Sequence, residues 1–122
     1  MDTAASVPAS DANIEPELAA IATLCAGKVR YMNEGGLRYI HMEGLRFLVH
    51  GTERQMDALL CLDYPNPSYP TKLYLTANIG LGLNWNETPY LFAKAWFSWS
   101  WKDVSRNQPP CAILAGHLEA FR

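Results

Sequence analysis

Apolar positions along this chain change period several times, and each change marks an element. Leu18, Ile21, Leu24 and Cys25 recur at the spacing of one helical face. Asn13 is placed to cap that helix, Pro16 falls in its first turn, and Glu15 and Glu17 lie at the positive end of its dipole. Gly27 is its expected stop. The next stretch reads as short strands. Gly36-Leu37-Arg38-Tyr39-Ile40 and Gly44-Leu45-Arg46-Phe47-Leu48 are near copies eight residues apart. They are expected to be the two adjacent strands of one hairpin, with Glu43-Gly44 and His50-Gly51 as turns. A third strand is expected at Asp57 to Asp63 and a fourth at Lys72 to Thr76.

Between those last two strands, Pro65, Pro67 and Pro70 exclude a sheet ladder and impose a stiff, extended connection. After the fourth strand, Gly80, Gly82, Asn84, Asn86 and Pro89 mark a long irregular segment. Trp96, Phe97, Trp99 and Trp101 crowd its end. Pro109-Pro110 then open a final helix that buries Ile113, Leu114, His117, Leu118 and Phe121. The order is helix, four-stranded antiparallel meander, long flap and helix, which predicts an α+β fold. Irregular stretches beyond about 12–15 residues usually carry function in a compact domain. Function is therefore expected between Ile79 and Pro110.

The 122 residues predict one domain, over 13–122, preceded by an Ala/Ser-rich acidic tail over 1–12. With 49% hydrophobic and 18% charged residues the chain is in the globular class. A formal charge of −2 with dispersed Lys and Arg argues against a nucleic-acid partner. No apolar run approaches the roughly 20 residues that span a bilayer, and the N-terminus lacks the basic and apolar regions of a signal peptide. The three cysteines, Cys25, Cys61 and Cys111, predict reduced thiols in a cytoplasmic protein. No zinc-ligand spacing is present, and no metal or other cofactor is expected.

The element order resembles the ubiquitin-conjugating-enzyme superfamily, whose members have a first helix, a four-strand meander, a Tyr-Pro turn before the fourth strand, a long active-site segment and a crossover helix. Asp63-Tyr64-Pro65 followed by Ser68-Tyr69-Pro70-Thr71-Lys72-Leu73-Tyr74-Leu75 looks like the Tyr-Pro signature. Trp101, nine residues before Pro110 and the last helix, looks like the family's ending. The likeness spans Glu15 to Phe121 by element order, with the Tyr-Pro segment as its specific motif. It is closest to the short bacterial members found in operons that attach ubiquitin-like proteins, some of them antiviral. The resemblance implies three partners: an activating enzyme, a ubiquitin-like modifier and a protein target.

It also implies transthioesterification. A cysteine thiolate accepts the modifier's C-terminal carbonyl and surrenders it to an amine, while an Asn amide holds the oxyanion. Where the family has His-Pro-Asn, this chain has Asn84-Trp85-Asn86. Where the family's cysteine should fall, it has Phe92-Ala93-Lys94-Ala95. Three explanations stand open: a nucleophile moved to Cys111, natural loss leaving a binding scaffold, or an engineered replacement, for example at Ala93. Cys111 opens a helix after Pro109-Pro110, where free N–H groups and the dipole favour a thiolate. It also shares a face with Leu114 and Leu118, as a core residue would. The candidate catalytic set is Cys111 with Asn84 and Asn86. Cys25 and Cys61 read as core residues, and Lys94 reads as a solvated charge. The tryptophans divide between core filling and a partner or small-ligand surface.

Overall fold

The computed structural model of the protein describes residues 15–122. The expected cap, Asn13, lies outside them. Glu15 is extended at the helix entry, with φ −60° and ψ 135°, and Pro16 occupies the first turn. A 3-10 turn, Pro16–Leu18, runs into α1, Ala19–Ala22. The helix ends well before Gly27, because the chain from Leu24 onward joins the sheet. Cys25 bridges to Leu45, and the Leu24 carbonyl accepts from the Arg46 N–H.

Four strands form one antiparallel sheet in the order β1-β2-β3-β4: Val29–Glu34, Leu37–Val49, Thr52–Cys61 and Lys72–Leu75. The strand count matches the sequence expectation, but the assignment of strands does not. The two near copies lie in the same strand, β2, and its first partner is β1, a segment the pattern left unassigned. Glu43-Gly44 is a bulge inside β2. Met42 faces Ala58 while Leu45 faces Met56, so β2 carries one extra residue there. The third strand also begins earlier than Asp57, directly after the His50-Gly51 turn.

The sheet is buried on both faces. On one face Ile40, Met42, Leu60, Leu73 and Leu75 pack with Leu18 and Ile21 from the N-terminal helix region. Ile113, Leu114 and Phe121 join them from the closing helical region. That region comprises α2, Pro110–Leu118, and a final 3-10 turn, Glu119–Phe121. On the other face Tyr39, Leu59, Cys61 and Tyr74 are covered by Trp96. Strands covered on both sides read as continuous apolar runs, which is why Ala58 to Leu62 shows no alternation.

The cover on the second face comes from the flap. It is irregular apart from a small hairpin of β5, Tyr90–Leu91, and β6, Lys94–Ala95. Trp96 and Trp99 are fully buried, and Trp101 donates its indole N–H to the Gly116 carbonyl of α2 at 2.9 Å. Trp85 packs on Trp99 with ring centroids 5.1 Å apart. The tryptophans therefore anchor the flap to the body. The architecture is α+β, a four-stranded antiparallel sheet with helices on one face and the hairpin on the other.

Candidate functional site

The Tyr-Pro loop is tied down along its length. Arg38 grips Asp63 with a two-pronged guanidinium contact at 2.9 and 3.0 Å, and its backbone N–H adds a third bond at 3.0 Å. The hydrogen bonds from Arg38 hold the Asp63 carboxyl below the usual carboxylate range. Asn66 folds back to accept the Ser68 N–H at 2.9 Å, and Arg106 donates to the carbonyls of Tyr64 and Pro70. At the loop's end, Thr71 Oγ1 donates to the Val104 carbonyl at 2.8 Å. The same oxygen then accepts from His117 Nε2–H at 2.9 Å, which fixes the imidazole tautomer.

This loop lies over Lys72, a charged residue inside an otherwise apolar strand. Lys72 is only 5% exposed. Its ammonium donates to the Trp99 carbonyl at 3.0 Å and lies 3.6 Å from Glu87 Oε1. The Tyr64 and Tyr69 rings stand 5.3 and 5.2 Å from it, within cation–π range. Burial pulls the Lys72 amine below the ordinary lysine range, and the Glu87 charge works in the other direction. Glu87 also accepts from Tyr64 Oη at 3.1 Å and from Tyr74 Oη at 3.5 Å. Burial, reinforced by Glu87, pushes both phenols above their usual range.

Above this pair opens a cleft of about 230 Å³, lined by Tyr64, Asn66, Tyr69, Lys72, Asn86, Glu87 and Ser100. It brings the Tyr-Pro loop and the flap to one place. Asn86 lines it, and Asn84 and Asn86 both donate their amides to Ser100 Oγ, at 3.2 and 3.0 Å. Cys111 stands elsewhere. It is the second residue of α2, half-buried and packed against the helix-side core. No hydrogen bond among the described residues joins it to either Asn. The other thiols are buried, and burial pushes Cys25 and Cys61 each up to about 11.

The segment Phe92 to Ala95 forms the tip and return strand of the flap hairpin. Phe92 and Ala93 are its two turn residues, with φ 51° and 61°. Ala93 is exposed, while the Phe92 ring packs edge-on against Tyr39 at 5.4 Å. Lys94 pairs with Asp57 at 3.4 Å and lies over the Trp96 ring at 5.1 Å, so it is more than a solvated charge.

Sequence reasoning reached the two asparagines but missed Lys72, Glu87 and Ser100 as their neighbours. Lys72 did carry a signal, since a charge within Lys72-Leu73-Tyr74-Leu75 needs a partner once the strand is buried. Among the described residues no group of three or more His, Cys, Asp or Glu side chains could hold a metal ion. No helix among them is long and apolar enough to cross a membrane. Comparison of the chain with protein-family models, with curated proteins and with solved structures gives no match.

Proposed function

We propose that this protein is a UBC-like conjugating enzyme that accepts a ubiquitin-like modifier as a cysteine thioester and passes it to a target amine. One observation carries the reading. The Tyr-Pro loop and the flap residues Asn86, Glu87 and Ser100, far apart in sequence, line one cleft, with Tyr64 bonded to Glu87. The element order around that cleft supports the same reading. We place the protein in the cytosol, where thiols stay reduced, in a bacterial modification system of the antiviral kind.

Cys111 carries the thioester in this reading. Its thiolate attacks the modifier's carbonyl, held as a thioester on the activating enzyme, and that enzyme's thiolate leaves. An amine of the target then attacks the new thioester, loses a proton, and releases Cys111 as thiolate. Cys111 is half-buried at a helix start, whereas burial disfavours ionisation of both other thiols.

A second reading is a silent UBC-like scaffold that binds modifier or activating enzyme without a covalent step. The exposed Ala93 at the hairpin tip and the packing of Cys111 on the core favour it. One experiment separates the two. The protein is incubated with activating enzyme, modifier and ATP and run on gels with and without reductant. An enzyme gives a reductant-sensitive adduct that Cys111→Ala abolishes and Cys25→Ala and Cys61→Ala retain. A scaffold gives modifier binding by calorimetry with no adduct. Neither adduct nor binding sinks both readings.

A further inference from the structure

The Lys72 cleft holds more hydrogen-bond donors than the protein uses. The ammonium has three N–H groups. The Trp99 carbonyl takes one at 3.0 Å, and Glu87 lies 3.6 Å away, which leaves one unspent. Ser100 Oγ accepts from both Asn84 and Asn86, and its own O–H makes no hydrogen bond to any described residue. Asn66 uses its carbonyl oxygen on the Ser68 N–H and keeps its amide donors. The acceptors are mostly engaged, since both Glu87 oxygens already receive tyrosine hydroxyls. A surplus of donors beside a nearly buried cation is the chemistry that binds an oxyanion.

We propose that this cleft is a subsite for a small carboxylate. Charge selects the class. Glu87 offsets the Lys72 charge, so a dianion such as phosphate meets more repulsion than a singly charged carboxylate does. Size sets the limit. About 230 Å³ is below the roughly 300–1,000 Å³ of sites for drug-sized molecules, so the ligand has only a few carbons or is one end of a chain. The carboxylate takes the free N–H of Lys72 and the O–H of Ser100, and the Tyr64 and Tyr69 rings flank its alkyl stem. The site is independent of any thiol and stands whether or not Cys111 carries a thioester.

The test is a titration of the full chain with sodium acetate and propionate, followed by the ¹H–¹⁵N signals of the Asn66 and Asn86 side-chain amides. Acetamide, the neutral isostere, and inorganic phosphate are run at matched ionic strength. Saturable shifts at these amides, with a Kd of about 1–10 mM, are expected for a ligand of so few atoms. Phosphate binds at least threefold more weakly, and acetamide does not saturate. Lys72→Gln abolishes saturation. The pair Asn66→Ala with Ser100→Ala, at partly open positions, weakens it at least threefold even if Lys72→Gln does not fold. Equal shifts with acetamide, shifts confined to other regions, or an unchanged curve in the Asn66/Ser100 double variant overturn the proposal.

Discussion

At the tip of the flap hairpin, Phe92 and Ala93 hold a backbone that glycine adopts far more cheaply. Both have positive φ in a two-residue turn, the conformation favoured for hairpins and normally filled by Asn or Gly. The first hairpin of the sheet makes the same kind of turn with Gly35-Gly36. The strain at the tip is held by its surroundings. The Phe92 N–H donates to Glu34 Oε1 at 3.0 Å, and the Trp96 indole donates to the Leu91 carbonyl at 2.9 Å. Left-handed φ costs an ordinary residue about 1–2 kcal/mol, and the extra chain freedom of glycine returns about 0.4–1 kcal/mol. Ala93→Gly should therefore raise stability by about 0.5–1 kcal/mol, read as a higher urea midpoint at unchanged m-value. An unchanged or lower midpoint would show that the turn carries no strain. Residue-scale features such as this turn are hard to read from sequence, because Leu91-Phe92-Ala93-Lys94 contains no turn signal. The Lys72–Glu87 pair was half legible. The buried lysine shows in the pattern, whereas its partner is chosen by the path of an irregular flap.

The same gap between local signal and tertiary choice explains the strand reassignment at the scale of elements. Glu43-Gly44 carries the chemistry of a turn, and a bulge uses the same chemistry. What decides is the chain after α1. Ala26 N–H donates to the Gly44 carbonyl and Gly27 N–H to the Glu43 carbonyl, both at 3.0 Å. The Gly44 N–H donates to Asp57 Oδ1 at 2.8 Å. Together these bonds hold Gly44 at φ +63° within a continuing strand. A side chain there meets Ala26 Cβ at 3.0 Å and Gln55 Nε2 at 3.2 Å. Gly44→Ala combines positive φ with that crowding and should destabilise by about 1–3 kcal/mol. Gly51→Ala is the control, because its turn has positive φ but open space around the Cβ position. If Gly44→Ala costs no more than Gly51→Ala in urea unfolding, the bulge does not depend on close approach. The closing helix was legible from Pro109-Pro110 and the spacing of Ile113, Leu114, His117 and Phe121, local signals that packing leaves intact, although Leu118, expected to be buried with them, is only half-buried.

At the scale of the whole molecule, the sheet is the middle of three layers, and His117 lies where the closing helix, the start of β4 and the flap converge. Its ring is buried, bonded to Thr71 and set edge-on to Trp99 at 6.5 Å. Burial, aided by the nearby Lys72 charge, lowers its pKa to about 3. The folded protein thus keeps His117 neutral over a range in which the unfolded chain, near the ordinary value of about 6.5, takes up a proton. Wherever the unfolded state binds more protons, stability falls as pH falls. The contribution of His117 is fully present above about pH 6.5 and is lost progressively down to about pH 3, with a limiting slope of ~1.4 kcal/mol per pH unit. Asp63 adds its own loss only lower, where the unfolded carboxylate protonates, because Arg38 depresses its folded pKa. Between about pH 6 and 4.5 the loss comes from the histidines, and because burial also lowers the His41 pKa, the His117 share is the difference between the protein and a His117 variant. His117→Gln keeps an N–H donor for Thr71 and removes the titration. It should lower stability at pH 7 through imperfect packing yet flatten the dependence between pH 6 and 4.5 by close to one proton. Urea unfolding across that range measures both. Parallel curves for the two proteins would mean that His117 is protonated in the folded state, and that the Thr71 contact does not depend on a neutral ring.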